Sequence, residues 1–385
     1  MIDNRFFHAQ HSRAELNTTR EMFSAALTCH QVMPEFLDFV FPFGRQEFSR
    51  DFYFSALKVS DRYNNINCAI EIPELGRSGK RYEMCYNLRS AERTSTPHQP
   101  WSIRQTAIYH AFDTIYGRTI WISIKGNHLI RDRINDALNT GRDELQGGND
   151  ASGSLGQAFL ASLEVHLILC NWARENWRWY INFLEDEFQE LTSHTLHTLI
   201  DRPLIPTSQA QPILRSQTAP TPSTRRRRTL SLSQGRRASR TMTFGAGSPK
   251  TSKPSNGDPR QTVISKGAPL PEDPEFAFSK LQNIQHLQEK TNETWLVLTI
   301  NINILQELGR YYTNLRESRH WPDDFREQTT DGIHRFHQVV SEAVSDMEMQ
   351  KSRLEILRRV LADRKALVSR AHLAMELRGK ADARG

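Results

Sequence analysis

The sequence predicts an α+β protein. A mostly antiparallel sheet flanked by helices is followed by long helices that form a stalk or a coiled-coil hairpin, so helix dominates overall. Three observations predict this. Two neighbouring runs, Trp101–Phe112 and Arg118–Gly126, alternate with a period of two, as strands do. Beyond Phe276, apolar residues recur near every seventh position, as in packed long helices. Between these parts, residues 203–275 hold 11 of the 17 prolines and few large apolar side chains. Three regions are therefore expected: an α/β domain over 1–202, a basic Pro/Ser-rich linker over 203–275, and long helices over 276–385.

Taken in order, Leu16, Thr19, Met22, Phe23, Ala26 and Leu27 fall at helical steps, and Pro34 ends or interrupts that pattern. The aromatic piece Phe36–Phe43 reads as core filling, since aromatic rings dominate core burial. Phe52–Phe54, Cys68–Ile72 and Tyr82–Leu88 read as strands preceding the pair at Trp101. In that pair Ile103, Gln105, Ala107, Tyr109 and Ala111 face one way, and Ser102, Arg104, Thr106, Ile108 and His110 the other. Ile120, Ile122 and Ile124 oppose Trp121, Ser123 and Lys125. Asp113–Gly117 supplies the turn, and the alternation predicts a half-buried sheet.

From His128 the period changes. Leu129, Ile130, Ile134, Ala137 and Leu138 predict a short helix ending near Gly141, followed by a flexible loop over Gln146–Ser154. Phe159–Leu199 predicts one long helix or two in tandem, packed on the sheet through its tryptophans. The 203–275 composition cannot bury enough surface to offset chain entropy, which predicts disorder. Leu281, Ile284, Leu287, Thr291, Trp295, Leu298, Ile302, Leu305, Tyr312 and Leu315 mark a first long helix. Trp321-Pro-Asp-Asp324 breaks it. Met347, Leu354, Leu357, Leu361, Val368 and Met375 mark a second.

Net charge is +6, but residues 203–275 carry 12 Lys/Arg against 4 Asp/Glu, so the remainder is slightly acidic at −2. The basic character belongs to one segment, which argues against nucleic-acid binding by the folded parts. The four cysteines, Cys29, Cys68, Cys85 and Cys170, form no Cys-x-x-Cys pair, which fits a reducing compartment. The first residues lack an apolar stretch of signal-peptide length. The longest apolar run, Trp295–Leu305, is interrupted by Thr299, Asn301 and Asn303 and is too short to span a bilayer.

No pattern calls for catalysis, and no cofactor or metal site is assigned. His194 and His197 share a helical face with Glu187 or Glu190 a turn away, yet the spacing compels no third ligand. Glu185-Asp186-Glu187 reads as a solvated helix face before it reads as a Mg²⁺ site. Ser102, Ser123 and Ser154 lack a nucleophile elbow, and Gly153-x-x-Gly156 lacks the continuation of a phosphate loop. His110 and Asp113 sit where a strand meets a turn. The basic tract is more specific. Arg225-Arg-Arg-Arg-Thr-Leu-Ser231 and Arg236-Arg-Ala-Ser239 place serines three residues beyond an Arg. Basophilic kinases read that pattern, which makes Ser231, Ser239 and Thr229 candidate phosphorylation sites and a kinase a candidate partner. Nuclear import through Arg225–Arg228, an acidic-lipid tether and an ordinary solubilising linker are the competing readings.

Four runs carry a family resemblance: Trp101-Ser-Ile-Arg-Gln-Thr-Ala-Ile-Tyr-His110, Trp121-Ile-Ser-Ile-Lys-Gly-Asn127, Leu163-Glu-Val-His-Leu167 and Asn176-Trp-Arg-Trp-Tyr180. Together with Phe278–Leu315 and Leu354–Leu367, they resemble the cytosolic region of fungal CorA-like transporter-domain proteins. The resemblance implies an α/β cytosolic domain, a long stalk helix, two C-terminal membrane helices, a Gly-Met-Asn loop selecting hydrated Mg²⁺, and a pentamer. This sequence has no Gly-Met-Asn and no apolar helix after Leu367. The expectation is a non-enzymatic CorA-like cytosolic module without the pore, with a role in Mg²⁺ transport or its regulation. It would be cytoplasmic as given, or at the membrane if it is a fragment or truncated product of a full transporter. The alternative is a soluble interaction or signalling protein with a phosphoregulated linker. In either case self-association or partner helices would use residues 276–375.

Overall fold

The structure is a computed structural model that describes residues 2–10, 14–44, 54–61, 71–97, 99–125, 127–145, 155–198, 274–318, 321 and 323–382. The basic segment with Thr229, Ser231 and Ser239 lies outside the described residues, as do Cys68 and the loop Gln146–Ser154. The parts of the chain before residue 200 and after residue 272 form one compact unit.

Five strands form one sheet: β1 (Ile2–His8), β2 (Leu57–Asp61), β3 (Arg81–Arg93), β4 (Trp101–Asp113) and β5 (Thr119–Lys125), in the order β1-β5-β4-β3-β2. The β3–β4, β4–β5 and β2–β3 pairings are antiparallel, and β1 joins β5 in parallel. The β4–β5 turn is built by Asp113. Its carboxylate accepts the N–H groups of Ile115 at 3.0 Å and Tyr116 at 2.8 Å, and Gly117 supplies the positive φ of 63°.

Several strand expectations need correction. The N-terminal strand β1 was not anticipated, because Asp3-Asn4-Arg5 interrupts any apolar alternation there. Phe54 lies in no strand, Phe52 and Tyr53 are outside the described residues, and the edge strand begins at Leu57. Cys68–Ile70 are likewise outside them, and Ile72 makes only an isolated bridge to Arg77 beside a single 3-10 turn at Pro73–Leu75. The sheet centre is not half-buried. β5 is buried along its whole length and β3 along nearly all of it, because helices or loops cover both faces.

One face meets α1 (Arg20–Cys29) and α2 (Phe36–Val40). Phe36, Phe39 and Phe43 pack there against Cys85, Tyr109, Ile120, Ile122 and Ile124, with 5.6 Å between the Phe36 and Tyr109 ring centroids. The aromatic piece is core filling, with Phe41 the exposed exception.

The other face meets α3 (Leu129–Leu145), α4 (Leu155–Arg174), α5 (Trp177–Thr198), α6 (Pro274–Glu317) and α7 (Asp323–Asp382). α3 runs past Gly141 instead of stopping there. α4 and α5 are two helices in tandem, broken at Glu175-Asn176, where Asn176 takes φ 65°. α6 and α7 form an antiparallel hairpin. Its register is read from Arg326 donating to the carbonyls of Arg316 and Ser318, Arg358 to Asn292 at 2.7 Å, and Lys365 to Gln288 at 3.2 Å. The hairpin does not stand apart. Leu305, Leu308 and Tyr312 of α6 share one core with Tyr82, Tyr86 and Phe112 of the sheet and with α4. A Cβ on Gly332 of α7 would collide with Leu160 of α4, so that residue sets a close helix approach. Among the described residues, no helix is long and apolar enough to cross a membrane.

Candidate functional site

The residues that stand out lie between the sheet and its long helices. Thr106 and His110 of β4, and Ser123 and Lys125 of β5, project from the face that meets α4. All four are fully buried. The antiparallel register sets His110 opposite Trp121 and Thr106 opposite Lys125, so the alternation itself gathers these polar groups. A buried polar group destabilises unless it is hydrogen-bonded, and two clusters supply most of those bonds, leaving Ser123 Oγ and His110 Nε2 without one.

In the first cluster His166 of α4 is the hub. Its Nδ1 lies 2.7 Å from the Tyr86 hydroxyl of β3. Its Nε2 lies 2.8 Å from the Tyr312 hydroxyl of α6 and 3.1 Å from His110 Nδ1. The His110 ring stacks on Trp121, 4.0 Å between centroids and 16° between planes. Burial lowers the pKa of His166 to about 3 and, with the neighbouring His166, that of His110 well below its ordinary value. Burial raises the Tyr86 and Tyr312 hydroxyls well above theirs. Both imidazoles are therefore neutral at neutral pH, and each accepts or donates through whichever tautomer its neighbours fix.

In the second cluster Lys125 Nζ donates to Glu92 Oε1 at 2.7 Å, and Trp172 Nε1 donates to the same oxygen at 2.8 Å. The Asn127 amide donates to the other carboxylate oxygen. The Lys125 ammonium lies 4.3 Å from the Trp172 ring centroid, a cation–π contact. Burial pushes the Glu92 carboxyl up, but the Lys125 charge and the hydrogen bonds of Lys125, Trp172 and Asn127 together hold it below its usual range. Burial brings Lys125 down to about 8, against the pull of Glu92. The pair stays ionised at neutral pH.

A third device closes the sheet edge. β2 pairs only with Tyr82–Tyr86 of β3. At Arg89, Asn301 of α6 takes over, its Oδ1 accepting the Arg89 N–H at 3.2 Å and its Nδ2 donating to the Arg89 carbonyl at 2.7 Å. Asn176 donates to the Ala91 carbonyl at 3.0 Å. Two asparagine amides thus stand in for the missing strand.

Chemically these clusters hold elements together. His110, His166, Tyr86 and Tyr312 have no exposed surface, and neutral imidazoles of such low basicity make poor acid–base groups near pH 7. His110 and Asp113 do not meet. Asp113 accepts from the Ser78 N–H at 2.7 Å and the Ser78 hydroxyl at 2.9 Å. Glu185 is engaged by Arg353 at 2.7 Å. The side chains of His194 and His197 lie outside the described residues. Among the described residues, no three His, Cys, Asp or Glu side chains are grouped to hold a metal ion. Gln105 and Tyr109 do serve sheet packing, Tyr109 through a 2.7 Å hydrogen bond to Glu83 and Gln105 through one to the Pro42 carbonyl at 3.5 Å.

Sequence reasoning missed Tyr86, Glu92, Asn301 and Tyr312 as site residues; of the tryptophans expected to pack on the sheet, Trp172 does so, whereas Trp179 is exposed. The one available signal was the run of inward polar positions, Thr106, His110, Ser123 and Lys125. The four runs that carry the resemblance hold His110, Trp121, Lys125, Asn127, His166 and Asn176. They are therefore the parts of the sheet–helix joint.

Comparison with known proteins agrees. The family model of CorA-like transporters matches residues 4–196, half of the chain, spanning most of β1, all of β2–β5 and α1–α4, and nearly all of α5. No curated protein matches the chain. With its diagnostic runs assembled into one buried joint and half its length matched, the chain belongs to the CorA-like transporter family.

Proposed function

We propose that this protein is a non-enzymatic, cytoplasmic part of a divalent-cation transport system, acting in Mg²⁺ passage or in its regulation. The observation that carries this reading is the CorA-like match over residues 4–196. The sheet–helix joint supports it, because it fastens that matched region to the hairpin of α6 and α7 through His166–Tyr312 and Arg89–Asn301. In this reading residues 1–202 form the α/β module, 203–275 the linker, and the helices of 276–385 the part that meets partner helices or further copies of the chain. The test is the initial rate of Mg²⁺ uptake in cells lacking the gene and in the same cells with it restored. A change of at least about twofold, reversed on restoration, is expected. Equal rates in both would overturn the proposal.

The basic tract favours a second reading, that of an interaction protein switched by phosphorylation. Two Arg-x-x-Ser sequences lie eight residues apart, ending at Ser231 and Ser239, with Thr229 beside them. A phosphate at either serine would cancel about two local positive charges and pair with neighbouring Arg. Intact-mass and peptide analysis before and after phosphatase treatment tests this. A peptide containing Ser239 whose mass does not change would remove its support.

A further inference from the structure

We propose that Arg77 and Arg118, beside the start of β1, form a binding site for a phosphate group. The first observation is a buried arginine without a partner. Arg77 is 7% exposed. Its Nε is covered and makes no hydrogen bond, and no side chain among the described residues pairs with its guanidinium. A lysine or histidine so placed would give up its proton. A guanidinium keeps its charge, because its pKa lies above about 12. That charge needs an acceptor, or it destabilises the fold.

The second observation is that the neighbouring acids are already engaged. Asp3 of β1 is shared: Arg5 Nε lies 3.0 Å from one carboxylate oxygen, and Arg118 and His30 Nε2 lie 3.8 Å and 3.9 Å from the other. Asp113 accepts from Ser78, Ile115 and Tyr116. Glu83 is held by Arg81 and Tyr109. Arg5, Arg77 and Arg118 thus stand against the one carboxylate of Asp3, a surplus of two positive charges.

The third observation is arrangement. Arg77 directly follows Gly76, which closes the Pro73–Leu75 turn at a φ of 59°. Arg118 lies over the same turn. It donates to the Leu75 carbonyl, and its guanidinium is 3.8 Å from where a Cβ on Gly76 would stand. His30 faces the same group of charges: burial lowers its pKa, Asp3 opposes that, and Arg5, Arg77 and Arg118 lower it further. Its Nδ1 is covered and unpartnered, as is Arg118 Nε. Arg5 and Arg118 keep 55% and 22% of their side chains in solvent, so the cluster can be reached from outside. A phosphate group carries about −1.5 to −2 charges near pH 7, which matches the surplus. Its oxygens can also take the paired N–H donors of a guanidinium fork. The proposal goes beyond the transport reading and does not rest on it, since its readout is anion binding and not cation movement.

The test titrates the full chain with inorganic phosphate and, separately, with ADP, at an ionic strength held constant with sodium chloride, and reads the thermal midpoint. A saturable rise is expected with at least one of them. Tighter saturation by ADP assigns the phosphate to a nucleotide, and otherwise the free ion is the ligand. Arg77→Gln should weaken saturation at least about tenfold, with Arg77→Lys, which keeps the charge but not the fork, in between. In chloride alone Arg77→Gln should hold or raise the midpoint, because it removes a buried charge that the chain itself does not compensate. An arginine that only braces the fold predicts the reverse. An Arg77→Gln chain that fails to fold, or that melts lower in chloride alone, would therefore overturn the proposal. So would a midpoint that neither anion moves beyond chloride, or a rise of equal size in the parent and in Arg77→Gln, which marks a general salt effect.

Discussion

The β4–β5 pair has two faces that solve burial in opposite ways. Toward α1 and α2 it presents Ala107, Tyr109, Ala111, Ile120, Ile122 and Ile124. Toward α4, α6 and α7 it presents Ile108, Phe112 and Trp121 interleaved with Thr106, His110, Ser123 and Lys125. The face under the thicker layer of helix is the one that carries buried polar groups among its apolar ones. Apolar packing is non-directional and tolerates sliding, whereas a buried hydrogen bond or ion pair fixes partner and register. The short helices on the first face are held mainly by apolar packing, with Arg81 donating to the His30 and Gln31 carbonyls after α1 and Gln105 to the Pro42 carbonyl. Helices of 44 and 60 residues need a joint that sets where along their length they touch the sheet, and His166–Tyr312, Glu92–Lys125–Trp172 and Asn301–Arg89 supply it.

The largest expected effect tests whether the two faces differ in kind. Glu92→Gln leaves the Lys125 ammonium buried without its carboxylate and should destabilise by about 3–5 kcal/mol, as should Lys125→Met. The double variant should be milder than either single change, because no buried charge is then stranded. On the other face Phe39→Ala should also remove about 3–5 kcal/mol, through a cavity, but it has no single partner whose substitution restores it. Urea unfolding followed by tryptophan fluorescence measures all four. Additivity of Glu92→Gln and Lys125→Met would remove the distinction.

The next effect is pH-dependent and belongs to the polar face. An unfolded histidine protonates near pH 6.5, whereas buried His166 protonates only near about 3, and His110 is likewise held well below its ordinary value. As pH falls below 6.5 the unfolded chain takes up protons that the folded chain refuses. Stability is therefore full above pH 6.5 and is lost progressively toward pH 3, by about 1.4 kcal/mol per pH unit for His166, with His110 acting in the same direction. Urea midpoints between pH 7 and 4 should show that slope, and His166→Phe should lower it even as it weakens the joint. A slope unchanged in that variant would mean other groups carry the acid sensitivity.

Much of this was legible in sequence where the signal is local. The alternation in β4 and β5 and the near-heptad spacing in α6 and α7 express the geometry of each element by itself. The joint was not legible, because its members meet across long separations. Lys125 and Glu92 are 33 residues apart, His110 and His166 56, and Tyr312 and His166 146. Asn301 shows the difficulty best. In sequence it is a polar interruption of the apolar run Trp295–Leu305, and only the fold shows that the interruption is a substitute strand. Asn301→Ala should leave the N–H and C=O of Arg89 without these partners in a buried place. The expected loss is about 1–3 kcal/mol, with faster amide exchange at Arg89 and little change at Ile122, on the other side of the pairing. Uniform exchange along β3 and β5 in that variant would show that α6 does not act as the edge.

The smallest effect returns to the apolar face. Thr19 caps α1 by accepting the Met22 N–H at 3.2 Å, and α1 buries no residue fully. Thr19→Ala should weaken that helix by about 1 kcal/mol. Because so little of α1 enters the core, the loss should stay local, as faster amide exchange from Met22 to Leu27 with the global unfolding midpoint almost unmoved. If the midpoint instead falls by the full cap contribution, α1 unfolds together with the sheet. The apolar face would then be as cooperative as the polar one, and directional bonds would not be what separates a fixed helix from a loosely held one in this fold.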